Sequence, residues 1–210
     1  MGDLFFHNSL NAISYRRQSR QACEVGNTNS PSYILTGGSP VGAYSLAFDP
    51  DLSCGVCPVG FRILNVHFVF RTTDPCQVTA AVNLSIPDYP DSPDCPTPGT
   101  VVCASSSSTF ELTSAGAWEI ILPIDCECAA MGSTYLLGVS ILETDCPGGS
   151  MYFDAAGEPC TSYIGEADVY YLFGGSPIPG NLVIWADADC CESPVAGETQ
   201  TWGNIKGLYH

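Results

Sequence analysis

Twelve cysteines in 210 residues constrain this chain more than any other feature. They are Cys23, Cys54, Cys57, Cys76, Cys95, Cys103, Cys126, Cys128, Cys146, Cys160, Cys190 and Cys191. An even number, spread over most of the length, predicts disulfides made in an oxidising compartment. Zinc is the competing reading, because Cys54-Gly55-Val56-Cys57 has a ligand-like spacing. A second CxxC with accompanying histidine is missing, however, and Cys126/Cys128 and Cys190/Cys191 stand too close for ordinary tetrahedral knuckles. Spacing alone leaves the connectivity open. Each native bridge in a domain of this kind contributes about 2–5 kcal/mol.

Charge narrows the partners. Only 13% of residues are charged and the net charge is −16. The basic residues are Lys206, Arg16, Arg17, Arg20, Arg62 and Arg71. No basic stripe exists to neutralise phosphates, so nucleic acid is not expected as a partner. No apolar run reaches the roughly 18 residues of a membrane-spanning helix, so membrane insertion is not expected either. Cations, neutral surfaces, glycans and further copies of the chain remain as partners. Met1-Gly2-Asp3 lacks a basic n-region and Leu4 to Phe6 is too short for an apolar h-region. An exported protein with this sequence is therefore expected to be a mature or trimmed form.

Glycine and proline punctuate the chain about every ten residues, which is the rhythm of an all-β fold. From Cys76 to Ile86, Val78, Ala80, Val82, Leu84 and Ile86 point one way, and polar residues point the other. That alternation predicts a strand with one buried face. Phe61–Phe70 is apolar on both faces and reads as a central strand, and Tyr135–Leu142 behaves similarly. Further strands are expected at Ser32–Leu35, Ala43–Phe48, Thr109–Leu112, Trp118–Leu122, Val169–Phe173 and Leu182–Ala186. About nine to ten strands bury their faces most simply as a disulfide-stapled antiparallel β-sandwich, jelly-roll or immunoglobulin-like. Residues 31–194 form this domain. Residues 1–30 and 195–210 are cysteine-poor ends, candidates for an exchanged strand and an interface segment.

Catalytic constellations are few. Of His7, His67 and His210, only His67 sits on an expected strand, and a structural role suits it best. No Gly-x-Ser-x-Gly elbow is present. Clustered loop carboxylates suggest turn chemistry first and calcium second. The candidate calcium ligands are Asp187 and Asp189, or Asp88, Asp91 and Asp94; Asp49 and Asp51 flank Pro50 in the same manner. No other cofactor is expected. Trp118 and Trp185 lie in apolar strands and are expected in the core, whereas Trp202 sits in a polar tail and suits an exposed anchor. Asn83-Leu84-Ser85 is an N-glycosylation sequon on a polar strand face.

The segment Gly180-Asn181-Leu182-Val183-Ile184-Trp185-Ala186-Asp187-Ala188-Asp189-Cys190-Cys191 resembles one that recurs in uncharacterised secreted, cysteine-rich bacterial β-sandwich domains. Cys95-Pro96-Thr97-Pro98-Gly99, Ala117-Trp118-Glu119-Ile120, Cys160-Thr161-Ser162 and Thr201-Trp202-Gly203-Asn204-Ile205-Lys206-Gly207-Leu208-Tyr209 extend the likeness. It implies secretion and a cysteine-rich sandwich, and it assigns no activity.

The sequence therefore predicts a non-catalytic structural or adhesive protein, secreted and extracellular or at the cell surface. Self-assembly into a pilus-like filament by strand exchange would use Leu4, Phe6 and Leu10 at one end and Trp202, Ile205 and Leu208 at the other. The alternative is a secreted carbohydrate-binding module, calcium-dependent in one version. A hydrolase using paired acids stands third.

Overall fold

The computed structural model describes residues 22–34, 39–55, 57–88, 95, 97–175 and 179–191. In chain order its elements are β1 (Ala22–Gly26), β2 (Tyr33–Ile34), β3 (Gly42–Phe48), α1 (Pro50–Cys54), β4 (Gly60–Thr72), β5 (Cys76–Asp88), β6 (Thr97–Ala104), β7 (Ser108–Leu112), β8 (Gly116–Pro123), β9 (Ala129–Ala130), β10 (Tyr135–Thr144), β11 (Ser150–Phe153), β12 (Ser162–Ile164), β13 (Ala167–Asp168), α2 (Val169–Leu172) and β14 (Ile184–Cys190).

The strands form two antiparallel sheets. In the first, β1, β14 and β4 lie side by side; β8, β9 and β11 also pair with β4, and β2 pairs with β11. In the second, the order is β13-β12-β3-β10-β5, with β6 and β7 both pairing with β5. The core lies between the sheets. From the first come Phe61, Ile63, Val66, Phe68 and Phe70 of β4 with Ile120 and Leu122 of β8. From the second come Val78, Ala80, Val82 and Leu84 of β5 with Leu137, Val139 and Ile141 of β10. This is the all-β, disulfide-stapled sandwich that the alternation predicts.

A β-bulge decides which residues of β4 face inward. Asn65 pairs with Asp187 but Ile63 pairs with Ala188, so Leu64 is an extra residue in the ladder. Phe61 and Ile63 precede it, and Val66, Phe68 and Phe70 follow it, all buried. Without the bulge these two sets would face opposite sides of the sheet.

Three local expectations change. Val169–Phe173 is not a strand. After the β12–β13 hairpin the chain coils into α2, with the Phe173 amide donating to the Val169 carbonyl at 3.3 Å. Val169 is buried while Tyr171, Leu172 and Phe173 are exposed, so the described side chains do not form an alternating buried face. Ile86 is exposed instead of joining the apolar row of β5, because the β5–β6 register shifts on both sides of Ser85. Finally, β14 starts at Ile184 and runs through Cys190, later than Leu182–Ala186; Leu182 makes an isolated bridge with Phe153.

All twelve cysteines are paired, as Cys23–Cys54, Cys57–Cys190, Cys76–Cys146, Cys95–Cys160, Cys103–Cys126 and Cys128–Cys191. Cys103–Cys126 ties β6 of the second sheet to the segment after β8 of the first. Three of the bridges, Cys23–Cys54, Cys57–Cys190 and Cys128–Cys191, gather where β4 begins and β14 ends. The opposite end of β14 is held by a hydrogen-bonded carboxylate, that of the buried Asp154. One of its oxygens accepts from the amide groups of Asn27 and Asn29, at 2.9 and 2.7 Å. The other accepts from the backbone N–H of Ala156 and Asn181, at 2.9 and 2.7 Å. Burial works against the charge, but these four donors outweigh it and hold the Asp154 carboxyl below its ordinary value. Gly180 packs so closely on Asp154 that a Cβ would overlap the carboxylate and its backbone.

Asp154→Ala leaves two amide groups and two backbone N–H groups without their acceptor. A loss of about 3 kcal/mol is expected in urea unfolding, and an unchanged midpoint would show that the hub does not hold this end of the sandwich.

Candidate functional site

The outer face of the first sheet, turned away from the core, collects the polar side chains of four strands. β14 alternates Ala186 and Ala188 inward with Trp185, Asp187 and Asp189 outward. On β4 the residues after the bulge put Asn65 beside Asp187 and His67 beside Trp185. On the far side of β4, β8 carries Glu119 outward because Trp118, Ile120 and Leu122 face in. On the near side, β1 sets Glu24 opposite Asp187 and Gly26 opposite Trp185.

His67 ties three of these strands together. Its Nδ1 lies 2.8 Å from Glu119 Oε1 and its Nε2 lies 3.1 Å from Asp187 Oδ2. The Asn65 amide donates to the same Asp187 oxygen at 3.0 Å. Trp185 stacks on the imidazole with ring centroids 5.0 Å apart and planes 17° from parallel. Further along, Arg62 Nη2 donates to Asp189 Oδ2 at 3.4 Å.

A neutral imidazole has one N–H and one lone pair, so between two carboxylates it would aim a lone pair at an anion. The charged ring donates from both nitrogens instead. Burial opposes that charge, but the hydrogen bonds to Asp187 and Glu119, with their Coulombic attraction, outweigh it and raise the His67 pKa. The same contact with His67 lowers the Asp187 pKa; burial opposes this, and the Asn65 hydrogen bond assists it.

The cluster joins some of the expected residues and leaves others apart. Asp187 and Asp189 share one face, as expected of a pair, but within β14 rather than beyond a strand end. Asp187 meets His67 and Asn65, and Asp189 meets Arg62. Asp88 ends β5, its carbonyl accepting from Thr97 Oγ1 at 3.2 Å; Asp91 and Asp94 lie outside the described residues. Asp49 caps α1, accepting from the Asp51 amide at 2.9 Å, and Asp51 accepts from the Gly132 amide at 3.1 Å, so turn chemistry accounts for both. Trp118 is buried, with Nε1 donating to the Ser114 carbonyl at 3.0 Å. Trp185 departs from the core reading and lies half-buried on the outer face. Leu4, Phe6, Leu10, Trp202, Ile205 and Leu208 lie outside the described residues. Asn83 sits in the middle of β5 against Gly138, and the Ser85 of its sequon is buried. Glu119, Asn65 and Glu24 were not singled out from sequence. The alternation Trp118-Glu119-Ile120-Ile121-Leu122 carries the signal for Glu119, whereas the bulge hides that for Asn65.

A half-cystine offers neither a nucleophilic thiolate nor a thiolate metal ligand, and no cysteine is free. The zinc reading of Cys54-Gly55-Val56-Cys57 therefore gives way to the bridges Cys23–Cys54 and Cys57–Cys190.

The family model described as domain of unknown function DUF7451 matches residues 15–188. The chain belongs to this family. DUF7451 carries no assigned activity, in keeping with the resemblance to uncharacterised domains. No curated protein matches the chain. Among solved structures, the DUF7451 fold is similar to that of the clostridial cysteine protease Cwp84 after propeptide cleavage. That likeness has 13% identity and a TM-score of 0.53, over 81% of this chain and 40% of that one. A structure of the cysteine protease and lectin-like domains of Cwp84, a surface-layer-associated protein of Clostridium difficile, matches at 14% identity. Its TM-score is 0.43, over 73% of this chain and 33% of that one. The chain thus spans well under half of these proteins, and the likeness of the first is one of fold.

The His67 cluster sets a pH window. Stability from a charged His67 is complete below its ordinary value of 6.5 and is lost as pH rises through the raised one. Stability from Asp187 is complete above its ordinary 3.8 and is lost as pH falls through the lowered one. Thermal unfolding at pH 6.5 and stepwise above it should show a decline in native protein that His67→Gln flattens; parallel profiles would show that His67 is not charged in the fold.

Proposed function

We propose that this chain is a non-catalytic adhesive module of an extracellular or cell-surface protein, and that it holds a glycan on the outer face of its first sheet. The observation that carries the reading is Trp185. An aromatic ring lies half-exposed, fixed by its stack on His67, between rows of planar polar groups. A sugar ring presents an apolar C–H face and a rim of hydroxyls. A fixed indole takes the face, and carboxylates and amides take the rim, with little side-chain entropy lost on binding. Asp187, Asn65 and Glu119 are such groups, and each is oriented by a neighbour before any ligand arrives.

The same geometry weighs against catalysis. His67, the natural general base, has both nitrogens committed to carboxylates and so has no lone pair to receive a proton. Export is supported by six disulfides, which persist in oxidising surroundings.

A glycan array probed with the native chain should give specific binders, and Trp185→Ala should weaken them at least about tenfold while the melting temperature moves little. Array-wide silence from the native chain would refute the reading. Filament growth by strand exchange is a second proposal. Among the described residues β1, which begins at residue 22, is the outermost strand beyond β14, and the candidate N-terminal strand precedes it in sequence. Sedimentation at rising concentration should then show growing species, and a monomer at every concentration would end that proposal.

A further inference from the structure

The outer face has a corner whose charge is not balanced among the described residues. Glu24 of β1 and Asp187 of β14 stand directly opposite each other in the antiparallel register. Side chains so placed have Cβ atoms about 5 Å apart, and like charges there repel. The cations nearest in register are already engaged: His67 lies between Asp187 and Glu119, and Arg62 meets Asp189. Asp187 uses Oδ2 for both His67 and Asn65. Glu24 is exposed and has no hydrogen bond or ion pair among the described residues. Trp185 stands one two-residue step along the same face, about 6–7 Å away. His67 covers one side of its ring. On the other side its partner is Gly26, which brings no side chain. Gly26 has φ +96°, a conformation side chains rarely adopt, and a Cβ there would run into the Ile184 carbonyl and turn toward the core residue Leu137, so no side chain from this position covers the indole.

Resting on the glycan reading above, we propose that the ligand is an amine-bearing sugar, of the glucosamine class with a free ammonium. Its ring stacks on Trp185, and its ammonium sits between the carboxylates of Glu24 and Asp187. The choice of a cation follows from charge. A neutral hydroxyl would leave the Glu24–Asp187 repulsion in place, whereas an ammonium removes it and donates to both oxygens. The electron-rich face of the indole favours the same sign. The chain's net charge of −16 draws cationic polymers toward this surface at low salt. The corner's distinctive contribution is the indole, which a simple polycation has no sugar face to exploit.

The test is calorimetry of the full chain at low salt with glucosamine oligomers, the matching N-acetylglucosamine oligomers, neutral glucose oligomers and spermine. Glucosamine oligomers should bind at least about tenfold more tightly than either other sugar. Glu24→Gln and Trp185→Ala should each remove most of that preference. Glu111→Gln, an equal loss of charge on β7, should leave it unchanged. Equal or tighter binding of the neutral or N-acetylated sugars would overturn this inference and leave the glycan reading standing. Spermine binding as tightly as the glucosamine oligomers, with Trp185→Ala without effect, would overturn it by reducing the attraction to net charge. No binding by any of the sugars would overturn the inference, and array-wide silence would remove the glycan reading as well.

Discussion

Two neighbouring half-cystines hold the strand on which everything else rests. Cys190 closes β14 onto Cys57, ahead of β4, and Cys191 closes the next residue onto Cys128, ahead of β9. The chain is thus tied in two directions at the point where β14 leaves the sheet. The Cys57–Cys190 loop spans 133 residues, and in the chain-entropy picture closing a loop of that size contributes roughly 4–5 kcal/mol. The bridges also oppose slippage. A one-residue shift of β14 would turn Asp187 and Asp189 into the core and Ala186 and Ala188 out of it. Burying those carboxylates without partners costs several kcal/mol each. Covalent bridges and hydrophobic pattern therefore select the same register, and that register aims Trp185 and Asp187 outward.

The bulge at Leu64 completes the arrangement. β4 must bury Phe61 and Ile63 at one end and Val66, Phe68 and Phe70 at the other, and strict alternation cannot do both. The extra residue resolves the conflict, and it brings Asn65 and His67 to the outer face alongside β14. His67 then links β8, β4 and β14 across the sheet through groups that lie 10–35% exposed. Partial burial strengthens its two contacts relative to surface ion pairs, which contribute little on their own.

How much of this the sequence discloses depends on whether a residue obeys the period of its strand. The sandwich, the central place of β4, the inward row Val78–Leu84 and the oxidised state of the cysteines follow from alternation and from cysteine number. The pairing of the cysteines does not, because bridges such as Cys95–Cys160 join segments separated by whole strands in the folded sheet. Val169–Phe173 has the composition of a strand, but among its described side chains only Val169 is buried, and local hydrogen bonds coil it. Trp185 is apolar and sits in an apolar run, which suggests burial. Its phase with Asp187 and Asp189, two and four residues on, places it outside. Glu119 is readable by the same phase argument once Trp118 is assigned inward, while Asn65 and His67 become neighbours of Asp187 only through an insertion in the ladder that no period announces.

The likeness to Cwp84 separates architecture from chemistry. Two chains with 13% identity can share a sandwich because the fold requires alternating faces and turns, and many sequences satisfy that. A cysteine nucleophile requires a thiolate, and here every cysteine sulfur is held in a bridge. What remains to act is what the sheet displays. In a chain with 13% charged residues, a face that carries Glu24, Arg62, His67, Glu119, Asp187 and Asp189 is a concentration of charge rather than an average surface. Most of those charges neutralise one another in pairs, which gives the face its rigidity. The Glu24–Asp187 register pair is like-charged, and it lies one step along the face from Trp185. A surface that needed only stability would place a lysine or arginine opposite Asp187, as Arg62 stands opposite Asp189. The glutamate at that position raises the energy of the empty face and lowers the relative cost of bringing in a cation, and this gives the face its preference for a cationic ligand.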